Sequence, residues 1–179
     1  MAIRHVLVLG GQRSGKSRYA ERLVAESGLL PVYVAAARPQ DAEMAARIGL
    51  HRERRGPAWL TVEEPLDLAG TIDRLARDGR GVLVECLTLW LANLMEAGVD
   101  PSDAATELLA ALDRAAGPVV LVSNEVGSGV IPANALARRY ADALGTLNQR
   151  VASAVAQVVL VAAGIPVLIK PAPQPEIAL

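Results

Sequence analysis

Gly10-Gly11-Gln12-Arg13-Ser14-Gly15-Lys16-Ser17 satisfies the pattern G-x-x-x-x-G-K-S/T without a mismatch. The residues before it, His5-Val6-Leu7-Val8-Leu9, form a short apolar run that reads as a buried strand. Those after it, Arg18 to Glu26, make a good helix sequence that Gly28 stops. Strand, glycine loop and helix, in that order, are what a phosphate cradle requires. The glycines let backbone N–H groups curl around phosphate oxygens where a side chain would obstruct the approach. The helix start adds its dipole, Lys16 can reach the β- and γ-phosphates, and Ser17 can ligate magnesium. An accidental match in a chain of ordinary glycine usage is roughly a one-in-a-hundred event, and the flanking strand and helix make it rarer. The sequence therefore predicts a nucleoside triphosphate site.

Outward from this loop, apolar runs alternate with helical stretches, which predicts an α/β fold with a mostly parallel sheet. Pro31 to Ala36 reads as the second strand, and its carboxyl end, Ala36-Ala37-Arg38-Pro39, should border the nucleotide, because ligands lie at that edge of open parallel sheets. Helices are expected over Asp41–Arg54, Leu66–Arg77, Thr88–Glu96, Asp103–Ala115 and Asn134–Ala154. Further strands are expected over Trp59–Glu63, Gly81–Glu85 and Val119–Val122, with a closing hairpin of Val158–Ala162 and Ile165–Ile169 turning at Gly164. On the last helix Arg138, Arg139, Asp142, Asn148, Gln149 and Arg150 read as a solvated face. Residues 1–170 form one domain in this reading, and 171–179 a loose proline-rich tail.

The composition bounds the function. At 179 residues the chain can bury a sheet covered on both faces. Its net charge of −1 gives no electrostatic case for nucleic acid or an acidic membrane surface. The single cysteine, Cys86, precludes an internal disulfide and fits a reducing compartment. No apolar run approaches the ~20 residues that span a bilayer, and no signal peptide is apparent, so the expected setting is the cytosol.

Three further features carry possible chemistry. Glu85 ends a buried strand, where it either holds magnesium or its water shell or caps the following helix. Cys86 beside it reads as a small buried residue, since no second cysteine or basic cluster adjoins it. Ser123-Asn124-Glu125-Val126-Gly127-Ser128-Gly129 leaves another strand tip and is either a functional loop or an ordinary turn. Of two histidines, His5 lies in the first strand and reads as a packing residue. His51 closes a charged helix beside Arg52, Arg54 and Arg55. That end is either a solvated basic terminus complementing the helix dipole or a nucleophilic site. In the second case the imidazole attacks an α-phosphorus and expels pyrophosphate, with arginines around the developing charge.

With those residues in view, the chain resembles the bifunctional adenosylcobinamide kinase/adenosylcobinamide-phosphate guanylyltransferase family of cobalamin biosynthesis. The likeness runs from His5 to Lys170. Besides the phosphate loop and Arg18-Tyr19-Ala20-Glu21, it is carried by Asp41 to Ile48 leading to His51-Arg52, by Trp59 to Glu63, by Glu85 to Leu94 and by Ser123 to Gly127. The phosphate loop is shared by many families; the other four stretches in this order are specific to this one. The resemblance implies a RecA-like P-loop NTPase fold, a homotrimer, magnesium, and ATP or GTP as phosphate donor for adenosylcobinamide. It further implies transfer of GMP from GTP to the resulting phosphate through a guanylylated histidine, which by motif position is His51. Lys16 joins it as a catalytic group. GTP contacts are expected from Gly10, Gly11, Gln12, Arg13, Ser14, Gly15, Lys16 and Ser17, from Ala35, Ala36 and Ala37, from Arg52, Glu53, Arg54 and Arg55, and from Glu63 and Glu85. Metal contacts are expected from Ser17 and Glu85, although many members have Asp where Glu85 stands. The alternatives are a relative keeping one of the two activities, a plain P-loop small-molecule kinase that has no need of His51, and a nucleotide-dependent switch with negligible turnover.

Overall fold

The computed structural model describes residues 5–37 and 55–171. The expected Asp41–Arg54 helix and the tail beyond 171 lie outside them. In chain order the elements are β1 (Val6–Gly10), α1 (Lys16–Ala25), β2 (Leu30–Ala35), β3 (Leu60–Glu63), α2 (Leu68–Leu75) and β4 (Arg80–Glu85). There follow α3 (Leu87–Glu96), α4 (Pro101–Arg114), β5 (Val119–Asn124), α5 (Ala135–Ala154), β6 (Gln157–Ala162) and β7 (Ile165–Lys170). The strands make one sheet in the order β3-β2-β4-β5-β1-β6-β7. Every pairing is parallel except that of β7, which folds back antiparallel on β6.

Successive strand residues point to opposite faces, and the apolar strands use both. Leu7, Leu9, Val32, Val34, Val82, Val84, Val119 and Leu121 pack on one side with Leu68, Ile72, Trp90, Leu91, Leu108 and Leu144 from α2 to α5. Val6, Val8, Tyr33, Leu83, Val120 and Val122 pack on the other with Ala20 and Val24 of α1. Helices thus cover both faces, as expected, although among the described residues the second is covered mainly by α1, with Leu89 of α3 reaching it.

Local chemistry accounts for the boundaries. Asp67 accepts a hydrogen bond from Gly70 N at 2.8 Å and so starts α2 two residues later than the apolar stripe suggested. Its lead-in is pinned by Glu64, whose carboxylate accepts from Leu66 N and Asp67 N at 3.0 and 2.8 Å. Asp100 and Asn134 cap α4 and α5 in the same way. The β6–β7 turn is Ala163-Gly164, both at positive φ (50° and 81°), the backbone hand that a two-residue hairpin demands. One reading of α5 is corrected: Asn148 is buried, 6% exposed, and does not belong to the solvated face.

Candidate active site

The loop between β1 and α1 is held from three directions. Its own backbone closes a turn, with Ser14 N donating to Gly11 O at 3.2 Å. From outside, Gly164 N in the β6–β7 turn donates to Ser14 O at 2.8 Å. Glycine is obligatory at position 10: a Cβ there would collide with Ser14 Oγ and stand 2.6 Å from Val161 O. Gly15, at φ 95°, precedes α1 and leaves its first turn with no side-chain cap, so those N–H groups remain for an anion. Lys16 is buried, and its ammonium donates to Gly11 O at 3.1 Å across the loop. Ser17 Oγ donates to Glu85 Oε1 at 2.6 Å, joining the loop helix to the tip of β4.

That bond bears on the two readings of Glu85. Its carboxylate faces the phosphate loop instead of capping α3, whose N-terminal residue Cys86 contributes no side-chain cap. One hydroxyl and one carboxylate are hard oxygen donors suited to magnesium, which takes few protein ligands and completes its shell with water and phosphate. Among the described residues no group of three or more His, Cys, Asp or Glu converges.

The other expected contacts fall along the carboxyl edge of the sheet. Ala35 lies in register with Glu63 of β3 on one side and Glu85 of β4 on the other, while Gly10 lies in register with Asn124 of β5. Glu63 is exposed and four strands from β1, about 19 Å at ordinary strand spacing. Ala36 N donates to Glu85 O at 2.9 Å, and Ala36 O accepts from the buried Asn93 amide at 2.8 Å, which fixes the chain as it leaves β2. The structure thus brings together Gly10–Ser17, Glu85 and Ala35–Ala37, with Glu63 at the far end of the row. His51, Arg52, Glu53 and Arg54 lie outside the described residues.

Arg55 is engaged elsewhere. Its guanidinium carbon sits 3.4 Å from the Tyr33 ring centroid, and Nη1 lies 3.7 Å from Glu21 Oε1, with the side chain 3% exposed. Trp59 meets the same ring edge-on at 6.3 Å. Burial, with the Glu85 charge second, holds the Tyr33 phenol well above its ordinary range, so the ring stays neutral beneath the cation. Burial likewise lifts the Cys86 thiol to about 11, with Glu85 adding to the effect, which leaves it unreactive at neutral pH as expected of a packing residue. His5 does more than pack: its Nδ1 accepts from Val119 N at 3.1 Å, stapling the start of β5 to β1.

Sequence reasoning missed a polar network behind β5. Asn124 N donates to Thr88 Oγ1 at 2.9 Å, Tyr140 Oη donates to Thr88 O at 2.8 Å, and Asn148 Nδ2 donates to Asn124 O at 3.1 Å. Glu125 N donates to Gly10 O at 3.2 Å, so the loop after β5 leaves directly beside the phosphate loop. The signal was an asparagine placed where α5 should be apolar.

A mostly parallel sheet with a glycine loop after an interior strand, a lysine and serine opening the next helix, and an acid on a nearby strand tip defines a P-loop nucleoside triphosphatase fold. Solved structures agree. A KaiC-like protein from Pyrococcus horikoshii aligns over 88% of this chain and 70% of its own at TM-score 0.51 and 13% identity. The type III secretion ATPase EscN of enteropathogenic E. coli aligns over 89% of this chain and 43% of its own at TM-score 0.56 and 12% identity. The family profile described as cobinamide kinase / cobinamide phosphate guanyltransferase matches residues 6–169, and the chain belongs to that family. A bifunctional adenosylcobalamin biosynthesis protein, CobP of Pseudomonas aeruginosa, is 50% identical over 170 residues, covering 93% of this chain and 98% of its own. The protein of that description from Salmonella typhimurium, CobU, is 41% identical over 184 residues, covering 92% and 99%. The chain is an enzyme of cobalamin biosynthesis that phosphorylates adenosylcobinamide and transfers GMP to the product.

Proposed function

We propose that both reactions use the one nucleotide site between the phosphate loop and Glu85. The observation that carries this reading is the 2.6 Å bond between Ser17 and Glu85 at the mouth of the loop. In the kinase reaction, loop N–H groups and Lys16 hold the β- and γ-phosphates in line with the acceptor hydroxyl. Ser17 and Glu85 would hold magnesium, which would supply charge neutralisation at the phosphate oxygens. In the transferase reaction the His51 imidazole attacks the α-phosphorus of GTP, a nitrogen–phosphorus bond forms, and pyrophosphate leaves with the electron pair. An oxygen of adenosylcobinamide phosphate then attacks that phosphorus, the nitrogen–phosphorus bond breaks, and adenosylcobinamide-GDP is released. Arg52 and Arg54 stabilise the charge that develops, and Ala35–Ala37, Glu53 and Glu63 line the nucleoside side.

The assembly in this reading is a homotrimer. It is supported by β7, an edge strand that exposes Ile165, Val167, Leu168 and Ile169 by between 39% and 65%. The compartment is the cytosol, supported by a lone, buried, reduced cysteine. Among the described residues no helix is long and apolar enough to cross a membrane.

The test is incubation with magnesium and GTP labelled at the α-phosphate, without corrinoid. Acid-labile, alkali-stable label on the wild type and none on His51→Ala is the expected result. Label that persists in His51→Ala assigns the nucleophile elsewhere, and no label on an active, GTP-binding enzyme removes the covalent route.

A further inference from the structure

We propose that Glu125 is the catalytic base of the kinase reaction. This rests on the reading that phosphoryl transfer occurs at the loop–Glu85 site. The sheet order sets β5 between the phosphate-loop strand β1 and the acid strand β4. Whatever stands at the tip of β5 therefore flanks the reacting phosphate. Asn124, in register with Gly10, ends that strand, and Glu125 follows with its N–H bonded to Gly10 O.

The tip is built rather than loose. Thr88 Oγ1 takes the Asn124 N–H, and Asn148, buried in α5, donates to Asn124 O, with Glu125 Oε1 3.5 Å from the same amide. Thr88 is itself held by the Tyr140 hydroxyl. Elements α3 and α5 thus both pin the Asn124 backbone, and α5 also reaches the Glu125 carboxylate, whose residue is exposed.

Chemistry singles out the same group. Transfer to an alcohol needs a proton acceptor beside the hydroxyl, and a carboxylate is the usual one. Among the described carboxylates at this edge, Glu85 accepts from Ser17, Glu64 accepts from the backbone before α2, and Glu63 lies four strands from β1. Glu125 adjoins the phosphate loop directly. In the step, the acceptor oxygen forms a bond to the γ-phosphorus and the bond to the β–γ bridging oxygen breaks. The electron pair leaves on the nucleoside diphosphate, and the hydroxyl proton passes to Glu125 and then to water.

The second reaction supplies the control. Its acceptor, a phosphate already ionised at neutral pH, has no proton to give up, so GMP transfer needs no such base. Glu125→Gln is therefore expected to lower the turnover of adenosylcobinamide phosphorylation by ~10²–10⁴-fold. Its nucleotide KM and its rate of GMP transfer from GTP to authentic adenosylcobinamide phosphate should remain near the wild-type values. Glu125→Asp should restore part of the phosphorylation rate. Phosphorylation by Glu125→Gln within about threefold of wild type overturns the assignment, since a base contributes far more. So does a parallel loss of both reactions, which marks a structural residue. A wild-type enzyme that transfers GMP but does not phosphorylate the corrinoid removes the kinase reading itself.

Discussion

Ser17 and Glu85 show how one hydrogen bond adds to what a motif leaves open. Position alone allowed Glu85 to be a helix cap; its 2.6 Å contact with the loop serine turns it towards the phosphate loop. Glu85→Gln keeps the shape and removes the charge, so both reactions should fall by at least ~10²-fold, with the far-ultraviolet spectrum unchanged. Magnesium titrations of the residual rate measure the loss of metal affinity directly. His5 gives a second prediction at this scale. Burial lowers its pKa, outweighing the backbone carbonyl of Leu112 that favours the charged ring. The unfolded chain therefore binds a proton that the folded chain refuses over a window beginning near the ordinary value of 6.5 and running down to the depressed folded one. Stability should be lost as the pH falls through that window, with no contribution from this group above it. Urea midpoints at neutral and mildly acidic pH should diverge more for the wild type than for His5→Gln.

At the scale of elements, α3 is an enclosed helix that also serves the site, because Asn93 reaches out of it to two backbone carbonyls. Its amide donates to Ala36 O at 2.8 Å and Pro65 O at 3.1 Å, tying the exits of β2 and β3 together. Asn93→Leu leaves both carbonyls without that donor, and a loss of about 1–3 kcal/mol is expected in chemical denaturation. The KM for nucleotide should rise as well, since Ala35–Ala37 loses its tether. Asn134→Ala, which removes the α5 cap, should cost about 1 kcal/mol and leave the site intact. These elements also show what the sequence could and could not convey. The strands and the loop were legible because short β-branched runs and a glycine motif are local signals. Asn93 and Asn148 were not, because a buried asparagine and a solvated one look alike until the chain brings Ala36 O or Asn124 O beside them. The packing of Arg55 was illegible for a related reason: its partners Tyr33 and Glu21 are distant in sequence.

For the whole molecule, the open question of β7 is one of edges. A strand that exposes Ile165, Val167 and Ile169 along an unpaired side invites a further strand or a second surface. If β7 carries the proposed trimer contact, Val167→Lys should sediment as a folded monomer; an unchanged sedimentation coefficient would place any such contact elsewhere. The other end of the hairpin has a different consequence. The first strand, β1, pairs with β5 and β6 and no others, and the phosphate loop leans on Gly164. A chain emerging from the ribosome therefore carries its nucleotide motif from the outset but lacks the neighbours that shape it until the last strands appear. Nucleotide grip is in effect a receipt for synthesis through the β6–β7 hairpin. Chains ending before Gln157 should fail to retain GTP on a filter, whereas chains ending at Pro171 should hold it. The guanine nucleotide would then protect chains that carry the hairpin from proteolysis and leave those without it exposed.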